Sequence, residues 1–313
     1  MKVLVIGTGF GRYAAAPAYR EIGLDVEIVS PRDEAAVLQA LDAGVDLVSV
    51  HSPPFMHVDH VGAAIARGIP VLCDKPFGRN GAEAESMRSS AEAAGVQHFL
   101  NFEFRLRPSW AEVKRLTDEG AVGTPTHLHW SWFGNGLRGR RYGWINDRES
   151  GGGWIGAYGS HLIDYTRWLF GSEVAECGGM TRIEDPQHPD RDGVLHTATA
   201  EDAYTAWFRL QNGATASHDT GFAAAVPTSP RAIVMGDAGS LELIADTRLV
   251  ITRSGQDPET VEFESPPPRA PDPAVSGHLR AVVDAVRSGT QITPSFDDGV
   301  AVAKVMDRLR GNS

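Results

Sequence analysis

The residues best placed to do chemistry near the start of the chain form the turn Gly7-Thr8-Gly9-Phe10-Gly11. The turn follows a continuous apolar run at residues 3–6 and precedes a helical pattern. A strand, a Gly-x-Gly turn and a helix N-terminus together make a site for a pyrophosphate, since the first glycine permits the tight turn and the second lets the backbone approach the anion. The third fingerprint position is Arg12, not glycine or alanine. The context predicts a dinucleotide site on residues 7–11, against an ordinary strand–helix turn.

The second predicted strand, residues 26–29, ends in Ser30, Pro31 and Arg32, where a dinucleotide site presents a group to the adenosine ribose. An acidic residue there would select NAD. A hydroxyl and a guanidinium suit the 2′-phosphate of NADP, because arginine can bind phosphate oxygens through two parallel hydrogen bonds. We therefore expect NADP in contact with Ser30 and Arg32. The alternative is NAD, with a solvated loop and Asp33 in the acidic role.

Two further polar segments, residues 52–57 and 73–76, follow the third and fourth predicted strands. Open α/β sheets bind ligands at the carboxyl ends of their strands. A partly desolvated lysine there can donate to a substrate oxygen, so Lys75 is the first catalytic candidate, beside a Lys75–Pro76 bond that can fix a turn in cis or trans. We expect the nicotinamide near this segment and further cofactor contacts from five residues: Ser52, Pro53, His57, Asp74 and Lys75.

The elements that must position these residues alternate between strand and helix over the first third of the chain. Helical patterns at about 33–43, 57–67 and 83–94 separate strands predicted at 3–6, 26–29, 46–50, 70–73 and 97–101. Strands that alternate with helices of this length imply right-handed crossovers. The predicted fold of this part is a Rossmann-type, doubly wound parallel sheet.

The pattern changes after residue 120, where strands follow one another. We predict strands at 126–133, 203–210, 215–221, 233–235, 240–244, 249–252 and 260–263, with Asn212-Gly213 as a hairpin turn and a polar loop at 184–201. Helices are predicted at 275–287 and 297–310, after the proline-rich connector 265–273. Residues 1–120 would form the dinucleotide-binding domain, and residues 121–313 a second α/β domain with an open, mainly antiparallel sheet. The final helices are free to pack back on the first domain.

Composition excludes several classes of protein. The chain carries 29 basic and 40 acidic residues, a net charge of −11, which argues against nucleic-acid binding because a polyanion would be repelled. No apolar run approaches the roughly 20 residues of a membrane helix. Two cysteines, Cys73 and Cys177, are too few for a disulfide framework. We expect a cytoplasmic protein with no metal site, acting on a small molecule.

Seven ordered pieces of the chain resemble the family named after glucose–fructose oxidoreductase, inositol dehydrogenase and a rhizopine-catabolism protein. The likeness spans nearly the whole chain: GTGFG at 7–11, SPPFMH at 52–57, AIARGIPVLCDKP at 64–76, NFEFR at 101–105, WINDRESGGG at 144–153, GSHLID at 159–164 and FDDGVAVAKVMDRL at 296–309. The resemblance implies a Rossmann domain followed by an α/β domain with an open antiparallel sheet. It also implies NAD(P)-dependent oxidation or reduction of sugars and polyols. Members commonly form dimers or tetramers through the open sheet face.

The resemblance also assigns roles in the second domain. Family members carry Asp-x-x-x-His after the glycine triplet, and the histidine is the general base. This sequence keeps His161 but has Ala157 at the aspartate position, so His161 is expected to be a weaker proton shuttle than in relatives. Asp164 matches a substrate-contacting position, while Asp147 and Glu149 remain alternatives for the missing carboxylate. The further substrate contacts that we expect are Asn101, Trp154 and Tyr158.

Three functions remain open at this point. The first is a hydride-transferring enzyme in which Lys75 polarises the reacting oxygen and His161 moves the proton. The second is a cofactor-binding sensor or regulator that has lost the chemistry, as the missing aspartate suggests. The third is a glycosidase or lyase branch whose cofactor is recycled within the reaction. The arginines at 138, 140, 141 and 148 are either an anion-binding lid or ordinary surface charge.

Overall fold

The structure, a computed structural model, describes residues 1–264 and 272–311. The described residues form two compact units, the first built from residues 1–106, 149–151 and 272–304 and the second from 107–148, 152–264 and 305–311. The domain boundary at residue 120 stays a prediction. Most of the predicted connector 265–273 lies outside the described residues.

The described residues contain fifteen strands and eight α-helices. The strands are β1 Lys2–Ile6, β2 Asp25–Val29, β3 Leu47–Val50, β4 Val71–Cys73, β5 His98–Leu100, β6 Pro125–Phe133, β7 Val174–Arg182, β8 Gln187–Pro189, β9 Leu195–Thr197, β10 Ala203–Leu210, β11 Thr215–Gly221, β12 Arg231–Gly236, β13 Gly239–Ile244, β14 Arg248–Arg253 and β15 Glu259–Glu262. The helices are α1 Ala16–Glu21, α2 Glu34–Asp42, α3 His57–Ile65, α4 Gly81–Ala94, α5 Pro108–Asp118, α6 Ser160–Phe170, α7 Pro273–Ser288 and α8 Phe296–Leu309. None of the helices within this described part is long and apolar enough to cross a membrane.

The first unit is the predicted parallel sheet, with strand order β2-β1-β3-β4-β5. β3 is buried along its whole length and β1 along four of its five residues, as expected of strands covered on both faces. On one face, α1 and α7 pack against β1, with Tyr19 and Leu279 fully buried in the same core. The strand order reverses between β1 and β3, and the carboxyl ends of strands at such a point are where ligands bind.

The second unit contains an eight-stranded sheet with the order β15-β14-β13-β12-β6-β11-β10-β7. All neighbours are antiparallel except β6 and β11, so the sheet is mainly antiparallel, as predicted. Alternate residues of β10 and β12 are buried, which gives the sheet one covered and one open face. On the covered face, Trp110 of α5 lies 4.6 Å from Trp130 of β6, and Tyr165 of α6 donates to the Trp110 carbonyl.

Three elements differ from the sequence-based expectation. The helix after the glycine turn begins as a π-helical turn, Gly11–Ala15, before α1. β7 was not predicted because two glycines, which disfavour strands, interrupt its pattern; a Cβ at Gly179 would lie 2.3 Å from the Thr205 carbonyl oxygen. The expected loop at 184–201 contains the β8–β9 hairpin, whose turn is held by backbone N–H groups that donate to the Asp190 carboxylate.

Candidate functional site

The three glycines of the turn have different surroundings, so a side chain would meet different neighbours at each position. A Cβ at Gly7 would lie 2.7 Å from the carbonyl oxygen of His51, so only glycine fits. A Cβ at Gly9 would meet nothing within 4 Å, which leaves open space beside the backbone where phosphates can approach. A Cβ at Gly11 would lie 2.9 Å from Val5 Cγ1. Gly11 therefore supplies the close helix–strand packing that the fingerprint usually assigns one residue later, at Arg12.

The end of β2 borders a cavity of about 370 Å³. Arg32, Pro31, His60 and the apolar side chains Val37, Leu38, Met56 and Ala63 line it, together with Glu34 and Asp59. Ser30 and Arg32 are exposed, and the Arg32 amide donates to Ser30 Oγ over 3.4 Å. The Asp33 carboxylate accepts from the Ala36 amide at 3.0 Å as the N-cap of α2. Asp33 is thus the N-cap of its own helix, and the choice between NADP and NAD stays a prediction.

Two buried histidines support the loop after β3. His57 donates through Nε2 to the Ser52 carbonyl at 2.8 Å, and His60 Nδ1 lies 2.9 Å from Ser52 Oγ. Burial lowers the pKa of His57 to about 4 and also lowers the pKa of His60, so both rings are neutral at pH 7. The His57 ring is fully buried, so it positions the Ser52–Pro53 segment. Contact between His57 and a cofactor stays a prediction.

Asp74 collects hydrogen bonds from three strand ends. Its Oδ1 accepts from Asn101 Nδ2 at 3.0 Å and from the Lys75 amide at 3.1 Å, and its Oδ2 accepts from His51 Nδ1 at 3.1 Å. Burial opposes ionisation, but the hydrogen bond from His51, with the Lys75 charge and the Asn101 contact, outweighs it and lowers the pKa of Asp74. The Asp74 carboxylate is therefore a fixed negative charge beside Lys75.

Lys75 is half-buried, and its bond to Pro76 is cis, one of the two geometries that the sequence left open. Asn101 is fully buried, and its Oδ1 has no hydrogen-bond partner within the described ranges. The carboxyl ends of β4 and β5 thus bring the Asp74 carboxylate, the Lys75 backbone and the Asn101 side-chain amide together through hydrogen bonds. Among the same described residues, no group of three His, Cys, Asp or Glu side chains is arranged to hold a metal ion.

The hydrogen bonds continue from Asp74 into the core of the first unit. His51 Nε2 lies 2.8 Å from Ser49 Oγ, which lies 3.1 Å from the Tyr19 hydroxyl. Sequence reasoning missed these three residues. The available signals were a serine inside the otherwise apolar strand β3 and a histidine directly after it.

In the second unit, His161 lies at the start of α6, directly after the π-helical turn Ile155–Gly159. His161 and Asp164 are 2% and 1% exposed, so both lie inside the fold. Asp164 Oδ1 is 3.6 Å from Arg167 Nη1, and Arg167 also forms two hydrogen bonds with Glu173 at 2.6 and 2.7 Å. Ala157 lies within the π-helical turn, four residues before His161.

A buried ion pair holds the segment that leads into α6. Arg310 Nη2 donates to Glu201 Oε1 and to the Gly152 carbonyl, both at 2.6 Å, and each side chain is 3% exposed. Glu201 also accepts from the Ile155 amide at 3.2 Å. A Cβ at Gly153 would lie 2.3 Å from Glu201 Oε1. The sequence analysis named neither Glu201 nor Arg310.

Trp154 and Tyr158 belong to an aromatic cluster. The Trp154 ring stacks on Phe222 at 4.4 Å and on Tyr158 at 4.9 Å, and Trp132 lies 4.9 Å from Tyr158. Trp154 Nε1 donates to Thr220 Oγ1 at 3.1 Å. The cluster provides flat apolar walls, and substrate contact by Trp154 and Tyr158 stays a prediction.

Two of the four arginines at 138–148 are anchored to backbone carbonyls. Arg138 donates to Ala223 at 2.8 Å, and Arg148 donates to the Arg310 carbonyl at 2.7 Å. Arg140 and Arg141 are exposed. Both original interpretations, a lid and ordinary surface charge, remain open.

Comparison with known families gives two matches. A model described as "Oxidoreductase family, NAD-binding Rossmann fold" matches residues 1–102, and a model of the GFO/IDH/MocA C-terminal domain matches residues 110–242. The two matches lie in the predicted order along the chain.

Curated relatives agree with these matches. An uncharacterized oxidoreductase of Synechocystis is 30% identical over 233 residues, which cover 68% of this chain and 63% of the relative. A D-apiose dehydrogenase of Paraburkholderia graminis is 29% identical over 76% of this chain and 60% of its own length. The matches thus span about three fifths of these two relatives. An inositol 2-dehydrogenase of Streptomyces avermitilis is 28% identical over 91% of this chain and 77% of the relative.

Solved structures share the fold. Levoglucosan dehydrogenase in complex with NADH and L-sorbose superposes with a TM-score of 0.84 at 21% identity, over 99% of this chain and 96% of the other. An NAD-binding oxidoreductase of Klebsiella pneumoniae superposes with a TM-score of 0.85 at 18% identity, over 99% and 96%.

Proposed function

Since the chain belongs to the Gfo/Idh/MocA oxidoreductase family, we propose that it is an NAD(P)-dependent dehydrogenase or reductase. It transfers a hydride between nicotinamide and a carbinol or ketone carbon of a sugar-like or cyclic polyol. The observation that carries this proposal is the Asp74 cluster, which sets Lys75 at the carboxyl edge of the parallel sheet that also bears the glycine turn. The names of relatives, D-apiose dehydrogenase and inositol 2-dehydrogenase, support the substrate class.

In the first unit, the proposed cofactor contacts follow one another along the carboxyl ends of the strands, where the strand order reverses between β1 and β3. The pyrophosphate lies on residues 7–11, including Thr8 and Phe10, where Gly9 leaves room for it. The adenosine occupies the cavity beside Arg32. Ser52, Pro53, His57 and Asp74 line the path to the nicotinamide end. The bound dinucleotide supplies the hydride acceptor or donor.

Lys75 and His161 carry the proton chemistry in this proposal. Lys75 donates a hydrogen bond to the reacting oxygen, which stabilises negative charge that develops there. His161 takes or returns the hydroxyl proton. Asn101, Asp164, Trp154 and Tyr158 bind the remaining hydroxyls and the apolar face of the substrate.

The direct test is turnover by the purified full chain on a panel of aldoses, inositols and other polyols with NAD and NADP, read by nicotinamide absorbance. Lys75→Met should lower kcat by about 10²- to 10⁴-fold, the usual contribution of a positioned acid–base group. Lys304→Met removes an exposed lysine of the same unit, paired with Glu85, and should leave kcat unchanged. Turnover of Lys75→Met within about threefold of wild type would refute the role of Lys75.

The same panel separates the two other functions. Cofactor binding with no turnover on any alcohol or ketone would favour a sensor that lost the chemistry, the alternative raised by Ala157. Substrate consumption with cofactor retained through purification and no net absorbance change would favour the glycosidase or lyase branch.

We propose NADP as the preferred cofactor, because Arg32 is exposed at the cavity while Asp33 is engaged by α2. Arg32→Ala should weaken NADP binding by about tenfold or more, the loss expected for a charge-assisted bond to phosphate, and leave NAD binding unchanged. Arg67→Ala, which breaks a pair with Asp42 elsewhere in the unit, is the control. An unchanged ratio of NAD to NADP dissociation constants in Arg32→Ala would contradict the assignment.

We also propose a cytoplasmic homodimer or homotetramer joined through the open face of the second unit's sheet. That face presents Met180, Trp207 and Met235, which are 64%, 52% and 44% exposed. Light scattering of wild type and Trp207→Ser tests it, since loss of a buried tryptophan at an interface should shift the assembly toward monomer.

A further inference from the structure

The chain of hydrogen bonds behind Asp74 has no role in the function proposed so far. It runs from Tyr19 through Ser49 and His51 to the Asp74 carboxylate, with distances of 3.1, 2.8 and 3.1 Å. Tyr19 and Ser49 are fully buried, and so is the side chain of His51. A chain of four polar groups in a core is costly unless every member is satisfied.

The direction of each hydrogen bond follows from the chemistry at its two ends. The ionised Asp74 carboxylate can only accept, so His51 Nδ1 carries a proton and donates. With Nε2 as the acceptor, the Ser49 hydroxyl donates to the ring and in turn accepts from the Tyr19 hydroxyl. Each donor thus finds one acceptor, which fixes both the tautomer and the orientation of the ring.

His51 is also confined by contacts with the glycine turn. A Cβ at Gly7 would lie 2.9 Å from His51 Cβ, and a Cβ at Gly11 would lie 3.3 Å from its ring atom Cδ2. The Phe10 ring centroid is 5.4 Å from that of His51. The imidazole therefore packs under the glycine turn while its Nδ1 reaches Asp74.

We propose that His51 is a positioning residue for Lys75. Its Nδ1–H holds one oxygen of Asp74, and the other oxygen then fixes the backbone amide of Lys75 and the side-chain amide of Asn101. The inference rests on the proposed function, because its kinetic effect is read through Lys75. His51 contributes to kcat by orienting the Lys75 segment and contributes little to binding of the dinucleotide.

Two substitutions of His51 distinguish the roles of its two ring nitrogens. In His51→Asn the side-chain amide replaces Nδ1 and can still donate to Asp74, whereas in His51→Gln the amide reaches the position of Nε2 and retains only the Ser49 arm. We expect His51→Asn to keep kcat within about threefold of wild type and His51→Gln to lose about tenfold or more, the loss expected for a hydrogen bond to a charged group. The dissociation constant for NAD(P) should change by less than about threefold in both.

Ser49→Ala and Tyr19→Phe complete the series. Each removes a hydroxyl one or two links further from Asp74, so the loss of kcat should decrease in the order His51→Gln, Ser49→Ala, Tyr19→Phe. Thermal unfolding midpoints measured on the same variants distinguish a loss of kcat through Lys75 from a loss caused by general destabilisation. Equal kcat in His51→Asn and His51→Gln, or a loss that follows the midpoint and not distance from Asp74, would overturn the proposal.

Two readouts test His51 without any turnover. Nitrogen NMR of histidine-labelled protein should show the Nδ1–H tautomer for His51, assigned by its absence in His51→Gln, and the Nε2–H tautomer would overturn the inference. Hydrogen exchange of the peptide that contains Lys75 should be faster in His51→Gln than in His51→Asn, and equal rates would overturn it. If wild type turns over no alcohol or ketone, the proposed function fails while these two readouts still decide the geometry.

Discussion

Two carboxylates, Asp74 in the first unit and Glu201 in the second, are held in different ways. In the first unit, hydrogen-bond donors from three strand ends converge on Asp74: the His51 ring, the Asn101 amide and the Lys75 backbone. In the second unit, Glu201 faces a buried arginine, Arg310. Asp74 accepts several separate hydrogen bonds, whereas Glu201 is paired with one guanidinium group.

This difference determines what a substitution leaves behind. Losing one neutral donor removes a hydrogen bond of about 1–3 kcal/mol and leaves the other donors in place. Losing one member of a buried ion pair leaves an uncompensated charge, at a cost of about 3–5 kcal/mol. The donors of Asp74 can therefore be lost one at a time, whereas loss of Arg310 removes the charged partner of Glu201.

The largest expected effect tests that contact. Arg310→Met should lower the free energy of unfolding of the second unit by about 3–5 kcal/mol, because Glu201 stays buried without its partner. Adding Glu201→Gln to Arg310→Met should recover part of the loss. Tryptophan fluorescence during urea unfolding reports on this unit alone, since all seven tryptophans lie between Trp110 and Trp207.

The matched control is Arg308→Met. Arg308 is exposed and donates to the backbone carbonyls of Val174 and Ala175, so its loss should cost less than about 1 kcal/mol. Equal losses for Arg308→Met and Arg310→Met, or no recovery in the double variant, would contradict the proposed difference between the units.

These contacts also show how far the sequence could be interpreted. Gly7, Lys75 and His161 were predicted as site residues because each lies in a local pattern of a few residues at a predicted strand or helix end. His51 is separated by 23 residues from Asp74, and Glu201 by 109 from Arg310, so neither pair leaves a pattern in the sequence. Strand predictions succeeded where apolar residues alternate, as in β10, and failed where glycines interrupt the alternation, as in β7.

A second prediction compares buried histidines in the two units. Burial lowers the pKa of His57 and His278 in the first unit to about 4, and that of His218 in the second to about 3. Each ring is neutral when folded and charges near pH 6.5 when unfolded, so each contributes stability that is present above pH 6.5 and is lost as pH falls toward the folded value. The loss is about 2 kcal/mol per histidine between pH 7 and pH 5.

His218→Gln isolates one of these histidines, because its unfolding is read by tryptophan fluorescence. The variant should be less stable than wild type at pH 7, since bonds to Thr166 and Tyr204 are altered. Between pH 7 and pH 5, however, the free energy of unfolding of the variant should fall by about 2 kcal/mol less than that of wild type. If the free energy of unfolding of the variant falls as much as that of wild type between the two pH values, His218 is not the titrating group. His57→Gln, followed by circular dichroism, gives the corresponding test in the first unit.

The smallest expected effect concerns the comparison of His51 with His161. His51 is joined to a carboxylate, whereas the family position that would give His161 one is Ala157, four residues earlier across the junction of the π-helical turn and α6. Ala157→Asp should stabilise the imidazolium and raise the apparent pKa in the kcat profile by about one unit, as expected for a neighbouring carboxylate. Ala157→Asn, which has the same shape without the charge, should leave the profile in place. A shift in both variants would indicate a packing effect, and no shift in either would mean that another group already orients His161 or that His161 is not the base. A shift in Ala157→Asp alone would show that a carboxylate at position 157 acts on the His161 ring through its charge.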